Sequence, residues 1–331
     1  MNRISKVNLS ATLLFLLLVA VSLTPLWAQN SGNTVPPATT APANPLKVAL
    51  LHWYLANHTT LFSVGSQPYG LCFDGENIWS ANYGSASVSK VRASDGALLG
   101  TFSLPGTAPI GVAFDGANIW VTNNGGNTIT KMRASDGKVL GTFTTGNAPW
   151  WLAFDGENIW TANYGDGTVT KLRATDGKVL GTFTAGTSPI GVAFDGNSIW
   201  VTNYGGNTVS KLLASDGKVL GTFAVGINPL GIAFDGANMW IGNRNGTSVS
   251  KLRVSDGKVL GTFSLGINGP YGVAFDGTNI WVAGDTYMQV LQPASGTILS
   301  QFRPATSTTG IAFDGANVWV SVLDDNAVSK Y

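Results

Sequence analysis

The sequence predicts an all-β protein, a seven-bladed β-propeller of four-stranded antiparallel blades whose last blade is closed by the N-terminal segment. Three observations predict it. Phe-Asp-Gly, followed by Asn-x-Trp or a close variant, recurs at Phe73, Phe114, Phe154, Phe194, Phe234, Phe275 and Phe313, with spacings of 41, 40, 40, 40, 41 and 38 residues. Tryptophans keep step at Trp79, Trp120, Trp160, Trp200, Trp240, Trp281 and Trp319. A period near 40 residues with strand-forming sequence in each unit is the signature of propeller blades. Finally, Val328-Ser329-Lys330-Tyr331 matches Val209-Ser210-Lys211-Leu212, while Phe62-Ser63-Val64-Gly65 matches the outer-strand segment Phe223-Ala224-Val225-Gly226. Joining first to last removes an open sheet edge.

Residues 189–226 serve as the type unit. Pro189 to Phe194 reads as the innermost strand, with Gly191 allowing neighbouring backbones to crowd around a central channel. Asp195-Gly196 turns the chain, the glycine supplying a positive φ and the aspartate accepting local N–H groups. Ile199 to Asn203 is the second strand, Tyr204 to Asn207 a loop, and Thr208 to Ser215 the third strand. Asp216-Gly217 turns again into the outer strand Val219 to Val225. The phenylalanine and tryptophan rings must fill the space between blades, each burial contributing on the order of 1.5–3 kcal/mol. Strict recurrence within strand two assigns the tryptophans to the core and not to a cofactor cage. Lys47 to Tyr54 also aligns with a third strand, so two segments compete for that place in the closing blade.

Residues 1–28 have the layout of a secretory signal peptide: Arg3 and Lys6, an apolar run from Leu13 to Val21, and a small residue at Ala28. An uncleaved anchor is the other reading, although Pro25 cuts the apolar run short for a membrane span. Residues 29–46 read as a disordered tether rich in Pro and Thr, and residues 47–331 as the propeller, about 41 residues for each blade. The expected location is therefore secreted, periplasmic or at the cell surface, with no membrane insertion after cleavage, and the expected state a monomer. Charged residues make up only 11% of the chain and the net charge is +1, which argues against nucleic acid as a partner. Cys72, the one cysteine, takes the place that alanine holds in the other units and reads as a small buried residue.

Trp120-Val121-Thr122-Asn123 and Trp200-Val201-Thr202-Asn203, each after Phe-Asp-Gly and a proline-glycine start, resemble the YVTN and NHL-type secreted propellers. The resemblance covers the chain beyond the tether and specifies fold better than activity. It extends to surface-layer repeat proteins, lactonases and streptogramin (virginiamycin B) lyases. The lyases imply histidine and glutamate near the channel mouth. Here the histidines are His52 and His58 in the N-terminal closing segment, and the glutamates, Glu76 and Glu157, follow Asp-Gly turns. That departure counts against lyase activity, and a tryptophan-docked quinone has no support either.

Residues that break the repeat are the informative ones. Trp151 stands where the other units have Gly70, Gly111, Gly191, Gly231, Gly272 and Gly310, and Trp150 precedes it. Tyr69 and Tyr271 precede the glycine in the first and sixth units. With Asn82, Asn123, Asn163, Asn203 and Arg244 these rings could stack on and hydrogen-bond a sugar or peptide at the mouth. Two alternatives stay open: Trp150 and Trp151 plug the channel, and the asparagines cap the loops that follow them. Asp285, Asp324 and Asp325, in neighbouring loops, could hold a divalent cation that polarises a lactone carbonyl, or be solvated loop charge. No cofactor is predicted beyond that possible cation. The expected function is a non-catalytic module that recognises an extracellular glycan, cell-wall fragment or peptide; the alternatives are a metal-assisted lactonase-like hydrolase and a protein-interaction scaffold.

Overall fold

A computed structural model describes residues 61–285, 287–303 and 307–331. The expected signal peptide, the tether, His52, His58 and the competing Lys47–Tyr54 segment lie outside the described residues. The described chain forms seven four-stranded antiparallel sheets. Their inner strands are Pro68–Phe73, Pro109–Phe114, Pro149–Phe154, Pro189–Phe194, Pro229–Phe234, Gly272–Phe275 and Thr308–Phe313, which define blades one to seven. In blade four the remaining strands are Ser198–Asn203, Thr208–Leu213 and Val219–Ala224.

The ring closes as the matching segments require. Leu61–Ser63 pairs with Ala327–Lys330, in the register Leu61 to Ser329, Phe62 to Val328 and Ser63 to Ala327. The N-terminal strand is thus the outer strand of blade seven, and Ala327–Lys330 fills the third. Phe62 lies 5.4 Å from the Trp319 ring, the same pairing that Phe183 makes with Trp160 at 5.5 Å inside blade three.

The core sits between blades. Trp79 of blade one packs with Val112, Ile119 and Val121 of blade two, and Trp319 of blade seven with Leu71 and Ile78 of blade one. Six of the seven repeat tryptophans are wholly buried. Each indole N–H also has a fixed acceptor, since Trp79 Nε1 donates to Asp74 Oδ2 at 2.7 Å and Trp240 Nε1 to Asp235 Oδ2 at 2.7 Å. The other oxygen of the same aspartate accepts backbone N–H groups, as Asp74 Oδ1 does from Glu76 and Asn77 at 2.9 and 2.6 Å. One carboxylate therefore ties the first turn to the core of its own blade.

In six of the seven blades a recurring lysine ties the blade to the next. Lys131 Nζ donates to the carbonyls of Ala174 and Thr175 at 2.7 and 3.0 Å while lying 5.3 Å from the Trp120 ring centroid. Lys330 Nζ makes the corresponding bond to Ala93 O at 2.8 Å across the closure. Blade six carries Val290 at this position, and its strands are shorter. The single lysines of the repeat are thus interblade ties.

The Asp-Gly turn after each inner strand, and the turn from strand three to strand four in blades one to six, emerge at one end of the ring. The loops from strand two to three, and from strand four to the next strand one, emerge at the other. That second end is the channel mouth.

Candidate functional site at the channel mouth

Inner strands approach so closely that a Cβ on Gly191 would run into the Leu230 carbonyl oxygen, and one on Gly231 into that of Tyr271. Hydroxyls reinforce several junctions. Gly191 N–H donates to Thr202 Oγ1 at 2.7 Å, which in turn donates to Leu230 O at 2.8 Å. The junction after blade three differs, because Trp151 replaces the glycine and Ala162 replaces the threonine.

Below the mouth the inner strands enclose a cavity of about 140 Å³, lined by Trp151, by apolar residues such as Leu71, Val112, Leu152 and Val192, and by glycine backbone. Small-molecule pockets usually measure about 300–1,000 Å³, so this cavity is smaller than a typical ligand site.

Two rings of side chains form the rim of the mouth. The inner comprises Tyr69, Ile110, Trp150, Ile190, Leu230, Tyr271 and Thr309, each at the start of an inner strand. Ile190, Leu230 and Tyr271 are buried, and Trp150, Trp151 and Tyr204 pack against them. The outer ring follows strand two and includes Tyr83, Asn124, Tyr164, Tyr204, Arg244 and Asp285. The rings pack against each other: Tyr69 on Tyr83 at 5.5 Å and Trp150 on Tyr164 at 6.0 Å, both tilted, and the Arg244 guanidinium over Tyr271 at 4.1 Å. Trp150 meets Trp151 edge-on at 6.4 Å, and its carbonyl accepts from Thr122 Oγ1 of blade two. Asn124 Nδ2 holds Pro149 O at 3.2 Å, so the backbone beside the tryptophan pair is tied from blade two.

The electrostatics of the mouth come from phenols and one guanidinium. Burial pushes the Tyr271 hydroxyl up to about 12, against a smaller downward pull from Arg244, with Tyr69, Asp285 and Tyr204 adding to the rise. Tyr69 is raised for the same reason, burial first, then the neighbouring Tyr83. Both are neutral hydrogen-bonding groups across the physiological range.

The asparagines lie elsewhere. Asn82, Asn123, Asn163 and Asn203 are wholly buried inside their blades. Asn203 Nδ2 donates to Thr208 Oγ1 and Ser210 Oγ at 3.0 and 2.9 Å, bracing the start of strand three, and the others bond likewise. The mouth is faced instead by the residue after each asparagine. Tyr83, Tyr164, Tyr204 and Asn124 escaped sequence reasoning, although their position varies from unit to unit while its neighbours repeat.

Of the three acidic candidates, Asp285 belongs to the rim and adds to the field around Tyr271, while Asp324 and Asp325 are exposed in the loop of blade seven. Among the described residues, no group of three His, Cys, Asp or Glu side chains comes together to hold a metal ion. Glu76 and Glu157 sit at Asp-Gly turns, at the end opposite the mouth. Burial, and then Asp74, pushes the Cys72 thiol up, away from a reactive thiolate.

No protein-family model matches the chain, and no curated protein matches it. Solved structures match in fold, and the class they define together with the sheets is the seven-bladed β-propeller. A streptogramin B lyase structure superposes with a TM-score of 0.70 at 20% identity, covering 82% of this chain and 95% of that one. A catalytically inactive virginiamycin B lyase from Staphylococcus aureus, determined with quinupristin, gives 0.71 at 19% identity, covering 82% and 97%. Kuenenia stuttgartiensis hydrazine synthase gives 0.72 at 16% identity, covering 83% and 98%. At these identities the likeness is one of fold. Among the described residues no helix is long and apolar enough to cross a membrane.

Proposed function

We propose that this chain is a secreted, non-catalytic binding module of the YVTN/NHL propeller kind, taking a glycan, cell-wall fragment or peptide at its channel mouth. One observation carries the reading. Aromatic rings from blades one, three, four and six, with Arg244 from blade five, border a mouth above a cavity smaller than a typical ligand site. Aromatic faces with polar tips suit sugar rings and peptide side chains. A propeller of the same fold holding quinupristin supports the idea that such a ring can host a ligand. The secretory layout of residues 1–28 supports an extracellular partner.

The test is a thermal-shift and tryptophan-fluorescence series on the full chain with glycans, cell-wall fragments and peptides, repeated with Trp150→Ala and Trp151→Gly. A ligand at about 100 times its Kd should add roughly 2.7 kcal/mol. Shifts abolished by Trp150→Ala support the mouth. Shifts indifferent to both variants would place binding elsewhere on the propeller.

A further inference from the structure

We infer that the mouth selects a saccharide bearing a carboxylate, a uronic-acid type ligand, with Arg244 as the carboxylate anchor and the Trp150–Tyr164 pair as the ring platform. This rests on the binding reading above and narrows it to a ligand class.

Four other arginines of the blades are committed, while Arg303 is exposed just after the outer strand Ile298–Phe302 of blade six. Arg92, Arg133, Arg173 and Arg253 each pair with the aspartate three residues on, at 2.6 to 3.1 Å, in the exposed turn between strands three and four. Those turns lie at the end away from the mouth. Arg244 stands on the mouth loop, where other blades carry tyrosine, asparagine, aspartate or leucine, and among the described residues it forms no ion pair. Its guanidinium carbon sits over Tyr271, 4.1 Å from the ring centroid. A cation–π contact of this kind restrains the guanidinium, whose planar fork is suited to engaging a carboxylate bidentately.

What surrounds Arg244 sets the rest of the ligand. Arg244 acts on both Tyr69 and Tyr271, and Tyr204 acts on Tyr271, although the three tyrosines come from blades one, four and six. The hydroxyls of Tyr69 and Tyr271, held neutral by burial, are donors and acceptors that suit a polyhydroxylated ring. Across the mouth, Tyr164 is exposed and Trp150 half-buried, their rings tilted with centroids 6.0 Å apart, and such an aromatic surface suits the C–H face of a pyranose. Asp285 stands beside Tyr271 and offsets part of the guanidinium field. That balance favours a ligand with one carboxylate per sugar over a polyphosphate. A peptide adding to a sheet would need an open strand edge, and each inner strand is already flanked by the inner strands of neighbouring blades.

The experiment is isothermal titration of the full chain at low salt with oligogalacturonate and with its methyl ester, which has the same rings without the charge. Arg244→Gln and Trp150→Ala are titrated alongside, their fold verified by circular dichroism. The free acid should bind about tenfold or more tightly than the ester. Arg244→Gln should bring the two to parity, and Trp150→Ala should weaken both. Equal binding of acid and ester, unchanged by Arg244→Gln, would overturn the carboxylate anchor and leave the mouth as a neutral glycan site. Loss of binding to a free C-terminal peptide in Arg244→Gln, with no uronate bound, would overturn the saccharide class. Binding of neither sugar nor peptide would remove the mouth reading itself.

Discussion

The guanidinium of Arg244 lies 4.1 Å from the ring centroid of Tyr271, and the two residues come from successive blades. The pair couples the loop after strand two of blade five to the entry of blade six. It places a cation and a buried phenol at the point where the inner strands converge. Ionisation of that phenol therefore reports on the mouth.

Tyr271 should titrate near pH 12 in the folded protein, against about 10 for an unperturbed tyrosine. Burial, the leading cause, disfavours the phenolate. A raised folded-state pKa means that the native state holds its proton longer than the unfolded state. The associated stability is complete below pH 10 and is lost as pH rises towards 12. A phenolate absorbance titration of wild type against Tyr271→Phe should show the missing step near pH 12, and Arg244→Gln should move that step higher. Tyr271 ionising near pH 10 would contradict the buried geometry.

Lys131→Met should destabilise the protein by about 1–3 kcal/mol, because it leaves two carbonyls without their donor in an interblade crevice. Urea denaturation followed by tryptophan fluorescence measures this directly. A neutral result would mean that methionine packing against Trp120 compensates in full.

Gly177 and Gly156 offer a matched contrast. Both have positive φ, +73° and +98°, but a Cβ on Gly177 would enter the Phe143 ring whereas one on Gly156 meets open space. Gly177→Ala combines backbone strain with overpacking and should cost at least about 2 kcal/mol. Gly156→Ala carries the strain alone, about 1 kcal/mol. Paired thermal melts of the two variants decide whether the ring contact adds the difference.

Asp235 should mark the acid limit. Burial on its own would raise this carboxyl, but bonds from Trp240 Nε1, the Ala237 N–H and Asn238 outweigh it and hold the pKa below the ordinary value. Because the folded pKa is depressed, its contribution is present above the unfolded carboxylate value of about 3.9 and is lost as pH falls below it. Asp235→Asn should lower stability at neutral pH by about 1–3 kcal/mol and flatten the acid side of the stability curve. A variant with an unchanged acid slope would rule Asp235 out as one of the groups responsible.

Blade architecture was legible because it repeats. Phe194, Trp200 and the Asp195-Gly196 turn occupy fixed offsets in every unit, and the match of Phe62 to Phe223 announced the closing strand before any pairing was visible. The mouth was legible only in part. Trp151 stood out against six glycines, and Tyr69, Tyr271 and Arg244 stood out at their own positions. The asparagines looked equally available, yet Asn203 points its amide at Thr208 and Ser210, a distinction made by burial.

By itself, then, the sequence determined the number of blades, the turns and the order of closure, since these follow from local periodicity and from which faces must be apolar. Only the tertiary structure decided which side chains meet at the mouth. Arg244 and Tyr271 are 27 positions apart and come from different blades, whereas Trp150 and Tyr164 meet across the hairpin of a single blade, where Pro149 pairs with Asn163. Lys131 finds its acceptors, Ala174 and Thr175, in the next blade. Contacts between blades depend on the rotation of each sheet about the channel, which is set by the whole closed ring and by no single repeat.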